Sequence, residues 1–110
     1  MEVIEKRHDG VIILRLVGRL DANTSAGFRE QLLNTIKAGN NNIILDCERL
    51  DYISSAGLRI VLEGSKQVKL VEGKVVLCFL QSYIKEVFEV AKFDAFLPIA
   101  TTVEEALKAF

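Results

Sequence analysis

A chain of 110 residues, half of them hydrophobic, is long enough and apolar enough to bury a core as one domain, residues 1–110. Its 14 basic and 15 acidic side chains leave a formal net charge of -1, which argues against nucleic acid or an anionic membrane as partner. No run approaches the roughly 20 apolar residues of a membrane span, and the charged start MEVIEKRHDG has no signal-peptide core, so a cytoplasmic protein is expected.

Glu2 to His8 reads as a first strand, and Asp9-Gly10 is a two-residue hairpin signal. Val11 to Val17 is apolar on both faces and reads as a central second strand that Gly18 ends. Asp21-Ala22-Asn23-Thr24 is a cluster of helix-start residues. Phe28, Leu32 and Ile36 follow at spacing four, with Leu33 beside them, and predict one buried helical stripe ending near Gly39. Ile43–Asp46 reads as a short buried parallel strand, with a loop over 48–53. After Ser55, Leu58, Val61, Leu62, Ser65 and Val68 repeat at three and four, a second helix that Glu72-Gly73 stops. Val75–Leu80 reads as a buried strand, and Ser82 as the cap of a helix with Ile84, Val87, Phe88 and Ala91 on its buried side. Leu97-Pro98-Ile99 predicts an edge strand, and Thr102 with Glu105 a capping box for a last helix, Val103 to Ala109.

The order β-β-α-β-α-β-α-β-α implies an α/β domain: a mixed, largely parallel sheet with an N-terminal hairpin and about four helices. Cys47 and Cys78 sit in or beside apolar runs and are expected to be buried, reduced thiols. Asn23-Thr24-Ser25 matches a glycosylation sequon, which has no consequence without a secretory route.

In such folds function gathers at the carboxyl ends of the strands. The stretch YISSAGLRIVL from Tyr52 lies there and carries two adjacent hydroxyls. Capping a helix requires only one of them and contributes about 1 kcal/mol. If the second and third strands are neighbours, Asp21 comes close to Ser54 and Ser55. A phosphate at this helix start would meet the positive end of the helix dipole, and its charge of about -1.5 to -2 would change the surface a partner meets.

GRLDANT at 18–24, IILDCERLDYI at 43–53 and SSAGLRIVL at 54–62, together with KVVLCFL at 74–80, resemble the anti-sigma factor antagonists of the STAS domain family. The resemblance covers nearly the whole chain and implies a regulator, not an enzyme. It implies an unphosphorylated form that binds an anti-sigma factor, itself a GHKL-type serine kinase, and so frees a sigma factor for transcription. Phosphorylation at the start of the second helix would end binding, and a PP2C-type phosphatase would reset it. Many members read Asp-Ser-Ser-Gly or Asp-Ser-Thr-Gly where this chain reads Ser54-Ser55-Ala56-Gly57. Anchored on Gly57, the match leaves Ser55 as the expected phosphoacceptor, with Ser54 second, because Ala56 has no hydroxyl. The partner surface implied is Asp21 and Asn23 from one loop, with Ser54, Ser55, Ala56, Gly57 and Arg59 from the other. Asp21 would shape that surface or cap a helix; Arg59 would touch the partner or stay solvated.

An enzyme finds little support. There is no Gly-x-Ser-x-Gly elbow, and the single histidine, His8, lies at the hairpin turn. No His/Cys cluster suits a metal, no glycine-rich loop suits a nucleotide, and no cofactor is expected. Lys66, Lys69 and Lys74 read as a solvated face. The competing function is a STAS scaffold that holds its partner constitutively in a signalling or lipid-transport assembly. Ala56 and the missing Asp favour it. The balanced charge leads us to expect a monomer.

Overall fold

The hairpin forms where Asp9-Gly10 predicts it. In the computed structural model of the chain, which describes residues 1–95 and 97–110 (of Asp94 the backbone alone), both turn residues take positive φ, 49° and 80°. That is the pairing whose twist suits a two-residue hairpin. Around it β1 (Glu2–His8) and β2 (Val11–Leu20) pair antiparallel. Then β3 (Asn42–Ile53), β4 (Lys74–Cys78) and β5 (Ile99–Ala100) add in parallel, giving the order β1-β2-β3-β4-β5.

Because the parallel strands follow one another in order, right-handed crossovers put every connecting helix on the same face. Those helices are α1 (Ser25–Lys37), α2 (Ser55–Lys69) and α3 (Ser82–Val90). Phe28, Leu32, Val61, Val68, Ile84 and Phe88 pack there against Ile12, Leu14, Leu16, Ile43, Leu45 and Leu77. The alternate strand residues, among them Ile13, Ile44, Val76 and Cys78, point to the other face and meet Ala106 of α4 (Val103–Leu107).

Several boundaries differ from those expected. Gly18 does not end β2; it takes a φ of 111° at a bulge, and the strand runs on to Leu20. Residues 48–53 are not a loop but the second half of β3, whose register on β2 slips between Arg15 and Val17 and again between Gly18 and Arg19. Bulges place two residues opposite one, so the buried positions Cys47, Leu50 and Ile53 recur every three residues and the alternation of a strand is lost. β4 stops at Cys78 because Phe79 enters the left-handed region, with a φ of 55°. Ser82 does not cap α3: Gln81 holds the cap position, with no side-chain cap bond, and Val87 and Ala91 are exposed. A short 3-10 turn, Phe93–Ala95, precedes β5, which starts after Pro98 rather than at Leu97. At α4, Thr102 caps as expected, its Oγ1 accepting from the Glu105 N–H at 3.1 Å, but the helix ends at Leu107.

Candidate partner-docking site

The extended pair β2–β3 carries two loops to one edge of the sheet. Leu20 and Ile53 are the last paired residues, and the next amide, Ser54 N–H, donates to the Leu20 carbonyl at 2.8 Å. The chain then turns into α2. Ser54 is the N-cap, with extended backbone (φ -88°, ψ 170°), and its Oγ accepts from the Gly57 N–H at 3.1 Å. One orphan donor of the helix start is thereby satisfied. Ser55 is the first helical residue and is exposed; among the described residues its hydroxyl has no side-chain partner. Ala56 is half-buried, Gly57 buried, and Arg59 lies exposed one turn further on. Gly57 sets how closely the helix start can approach the strands: a Cβ there would come 2.7 Å from Leu20 Cγ and 3.0 Å from Ile53 Cγ1.

The facing loop is tied to itself. The Asp21 carboxylate accepts the N–H groups of Asn23 (2.9 Å) and Thr24 (3.2 Å). The Thr24 hydroxyl accepts from Asp21 N–H at 2.9 Å and donates to the Arg19 carbonyl at 2.7 Å. The Ser25 hydroxyl donates to the Asp21 carbonyl. Asp21 therefore organises its own loop, while Thr24 holds the N-cap position of α1 without a side-chain cap bond. The Asn23 N–H, reinforced by Thr24 and the nearby Arg19 charge, holds the Asp21 carboxyl below its ordinary range against a partial loss of water. Asn23 itself is exposed.

Two further side chains stand at this edge that the sequence did not single out. Arg19 and Tyr52 are register partners on β2 and β3, one step before Leu20 and Ile53. The Arg19 guanidinium lies 4.3 Å from the centre of the Tyr52 ring, and its Nε is 3.7 Å from the Asp21 carboxylate. Both are exposed at the surface. Their pairing became readable only once β2 and β3 were carried past the bulges. Nothing here resembles a nucleophile–base pair, and among the described residues no group of three His, Cys, Asp or Glu side chains converges on a possible metal site. The arrangement is a surface: a capped helix start with an exposed hydroxyl, beside a rigid loop and a stacked Arg–Tyr pair.

The STAS domain family model matches residues 2–106. The chain belongs to the STAS domain family. Over 110 residues it is 38% identical to a Bordetella bronchiseptica protein provisionally named anti-sigma factor antagonist BtrV, covering 100% of this chain and 95% of that one. The STAS fold is equally plain in solved structures. A provisionally named anti-sigma factor antagonist of Thermotoga maritima superposes with a TM-score of 0.94 at 21% identity, over 97% of this chain and 92% of that one. The Bacillus cell fate determinant SpoIIAA in its phosphorylated form gives a TM-score of 0.76 at 24% identity, over 98% of both chains. Within the STAS sheet the two serines sit where β3 meets α2, and no described helix is long and apolar enough to cross a membrane.

Proposed function

We propose that this STAS protein is an anti-sigma factor antagonist of the cytoplasm whose partner binding is switched at Ser55. Unphosphorylated, it binds an anti-sigma factor that is a GHKL-type serine kinase and thereby frees a sigma factor for transcription. The kinase phosphorylates Ser55, binding ends, and a PP2C-type phosphatase restores the hydroxyl. The chain performs no chemistry of its own. The observation that carries this is the division of labour between the serines: Ser54 caps α2, so the exposed Ser55 hydroxyl can be modified without undoing the helix. A dianion at the first helical position is compatible with the helix dipole, yet it stands at the same sheet edge as the Asp21 loop and the Arg19–Tyr52 pair, where a partner would meet it. The name of the Bordetella relative points the same way.

The test is direct. Ser55→Asp is expected to lower affinity for the kinase several-fold or more, through repulsion and desolvation at the interface. Its fold should stay as stable as the parent, because an acidic residue in the first turn suits the dipole. Tryptic mapping of the Leu50–Arg59 peptide from native cells should find phosphate on Ser55 that varies with growth condition. Phosphate on Ser54 would keep the switch and move the acceptor. A Ser55→Asp protein that binds as tightly as the parent would sink the mechanism. A peptide unmodified in every condition, with a partner that stays bound, would favour the scaffold that Ala56 and Ser54, in place of the more usual hydroxyl and Asp, leave open.

A further inference from the structure

The outer face of the α1–α2 pair carries a groove of about 510 Å³ whose walls include Arg29, Arg59, Ile60, Leu62, Glu63 and Lys66. Its charges are unevenly matched. Arg29 grips Glu63 with two hydrogen bonds, Nε to Oε1 at 2.7 Å and Nη2 to Oε2 at 2.8 Å, a bidentate pair that occupies both groups. Arg59 and Lys66 have no ion-pair or hydrogen-bond partner among the described residues. They are two uncompensated cations on a molecule whose formal net charge is -1. Seven residues apart on one helix, they stand about two turns, or roughly 10 Å, from each other on the same side. Between them the groove is apolar: Ile60 is buried and Leu62 half-buried.

We propose that this groove receives an acidic, amphipathic segment of the protein partner. Two carboxylates about two helical turns apart would meet Arg59 and Lys66, and the apolar side of the segment would cover Ile60 and Leu62. The inference rests on the partner-switching role of Ser55 and deepens it. Ser55 and Arg59 are i and i+4 on α2 and therefore share a face of the helix. A phosphate on Ser55 would draw Arg59 to itself, so modification would both add a repelling charge and withdraw one of the two cations that hold the segment. Lys66 is eleven residues from Ser55, roughly 16 Å along the helix and well beyond the screening length near physiological salt, so it reports on docking alone.

The experiment uses the unphosphorylated full chain and a GHKL-type anti-sigma factor kinase from the same cells, without ATP, so that no phosphate can form. Affinity is measured with and without Lys66→Glu at about 50 mM and about 300 mM salt. Lys66→Glu should weaken binding about tenfold at low salt, with the loss shrinking at high salt, and Lys66→Gln should lie between. Circular dichroism should find both variants folded, because Lys66 is exposed. A kinase that binds the parent and the Lys66→Glu variant equally would overturn the groove proposal and leave the Ser55 switch standing. An unphosphorylated parent chain that binds no such kinase would overturn both.

Discussion

Ser54 and Ser55 carry the same functional group and hold different things. The Ser54 oxygen accepts a backbone N–H that would otherwise lack a partner, so Ser54→Ala should cost about 1 kcal/mol. Ser55 contributes no such bond, and Ser55→Ala should leave the urea midpoint within error of the parent. The reverse ranking would mean that the helix begins one residue later and would make Ser54 the free hydroxyl. Sequence reasoning could see that one serine is enough for a cap and that the second needs another explanation. It could not assign the roles, because cap and first helical position differ by a single residue and both accept serine. Asp21 illustrates the same limit. A carboxylate four residues before Ser25 could cap α1 or shape a surface, and its actual bonds, to Asn23 and Thr24, rigidify the loop that faces Ser54. Arg19 and Tyr52 left no trace in the sequence, since their stacking depends on a register that local pattern does not contain.

The element that positions the site is the long pair β2–β3, and it is also where the sequence misleads. Hairpin, crossover helices and the order of elements along the chain follow from apolar periodicity and turn residues, because those segments keep the spacing of regular structure. The second half of β3 does not: its bulges turn a period of two into a period of three, which by pattern alone belongs to neither strand nor helix. Gly57 fixes α2 against the end of this extension. The nearest obstacle to a Cβ is the branch carbon of Leu20, at 2.7 Å, and both Leu20 and Ile53 are buried, so neither can swing away. Overpacking costs about 1–3 kcal/mol, while alanine in place of glycine returns at most about 1 kcal/mol of helix propensity. Gly57→Ala should therefore be net destabilising by about 1–2 kcal/mol, read by thermal or urea denaturation. It should also weaken kinase binding beyond what its stability predicts, because the Ser55 end of α2 has to shift away from the Asp21 loop. Unchanged stability would mean that the helix start is looser than its contacts imply.

Across the whole molecule, the central strands β2, β3 and β4 are buried on both sides where they pair, and the two cysteines record this. Cys47 points into the core under the three crossover helices, whereas Cys78 points to the face that α4 covers, so both are thiols sealed from water on opposite sides of one layer. Burial raises both from the ordinary 9.0, that of Cys78 to about 12, with the neighbouring Asp46 charge adding to the effect. An acid whose folded-state pKa is raised stays neutral at pH values where the unfolded chain's thiols have already ionised. Its stabilising contribution is complete below the unfolded value and is lost as the pH rises from there toward the folded one. The urea midpoint should therefore fall between about pH 8 and about pH 10.5, and the fall should be smaller in a Cys47→Ala, Cys78→Ala double variant. All other side chains are common to both proteins, so their contributions cancel in the comparison. The double variant should start from a lower midpoint, since each substitution leaves a small void in a packed layer. The same sealing predicts that a thiol reagent modifies neither cysteine in the native protein at about pH 8 faster than the protein opens, with rates that climb as urea is added. Equal falls in the two proteins, or rapid modification without denaturant, would show that water reaches one side of the sheet, and α4 would then be the layer that opens.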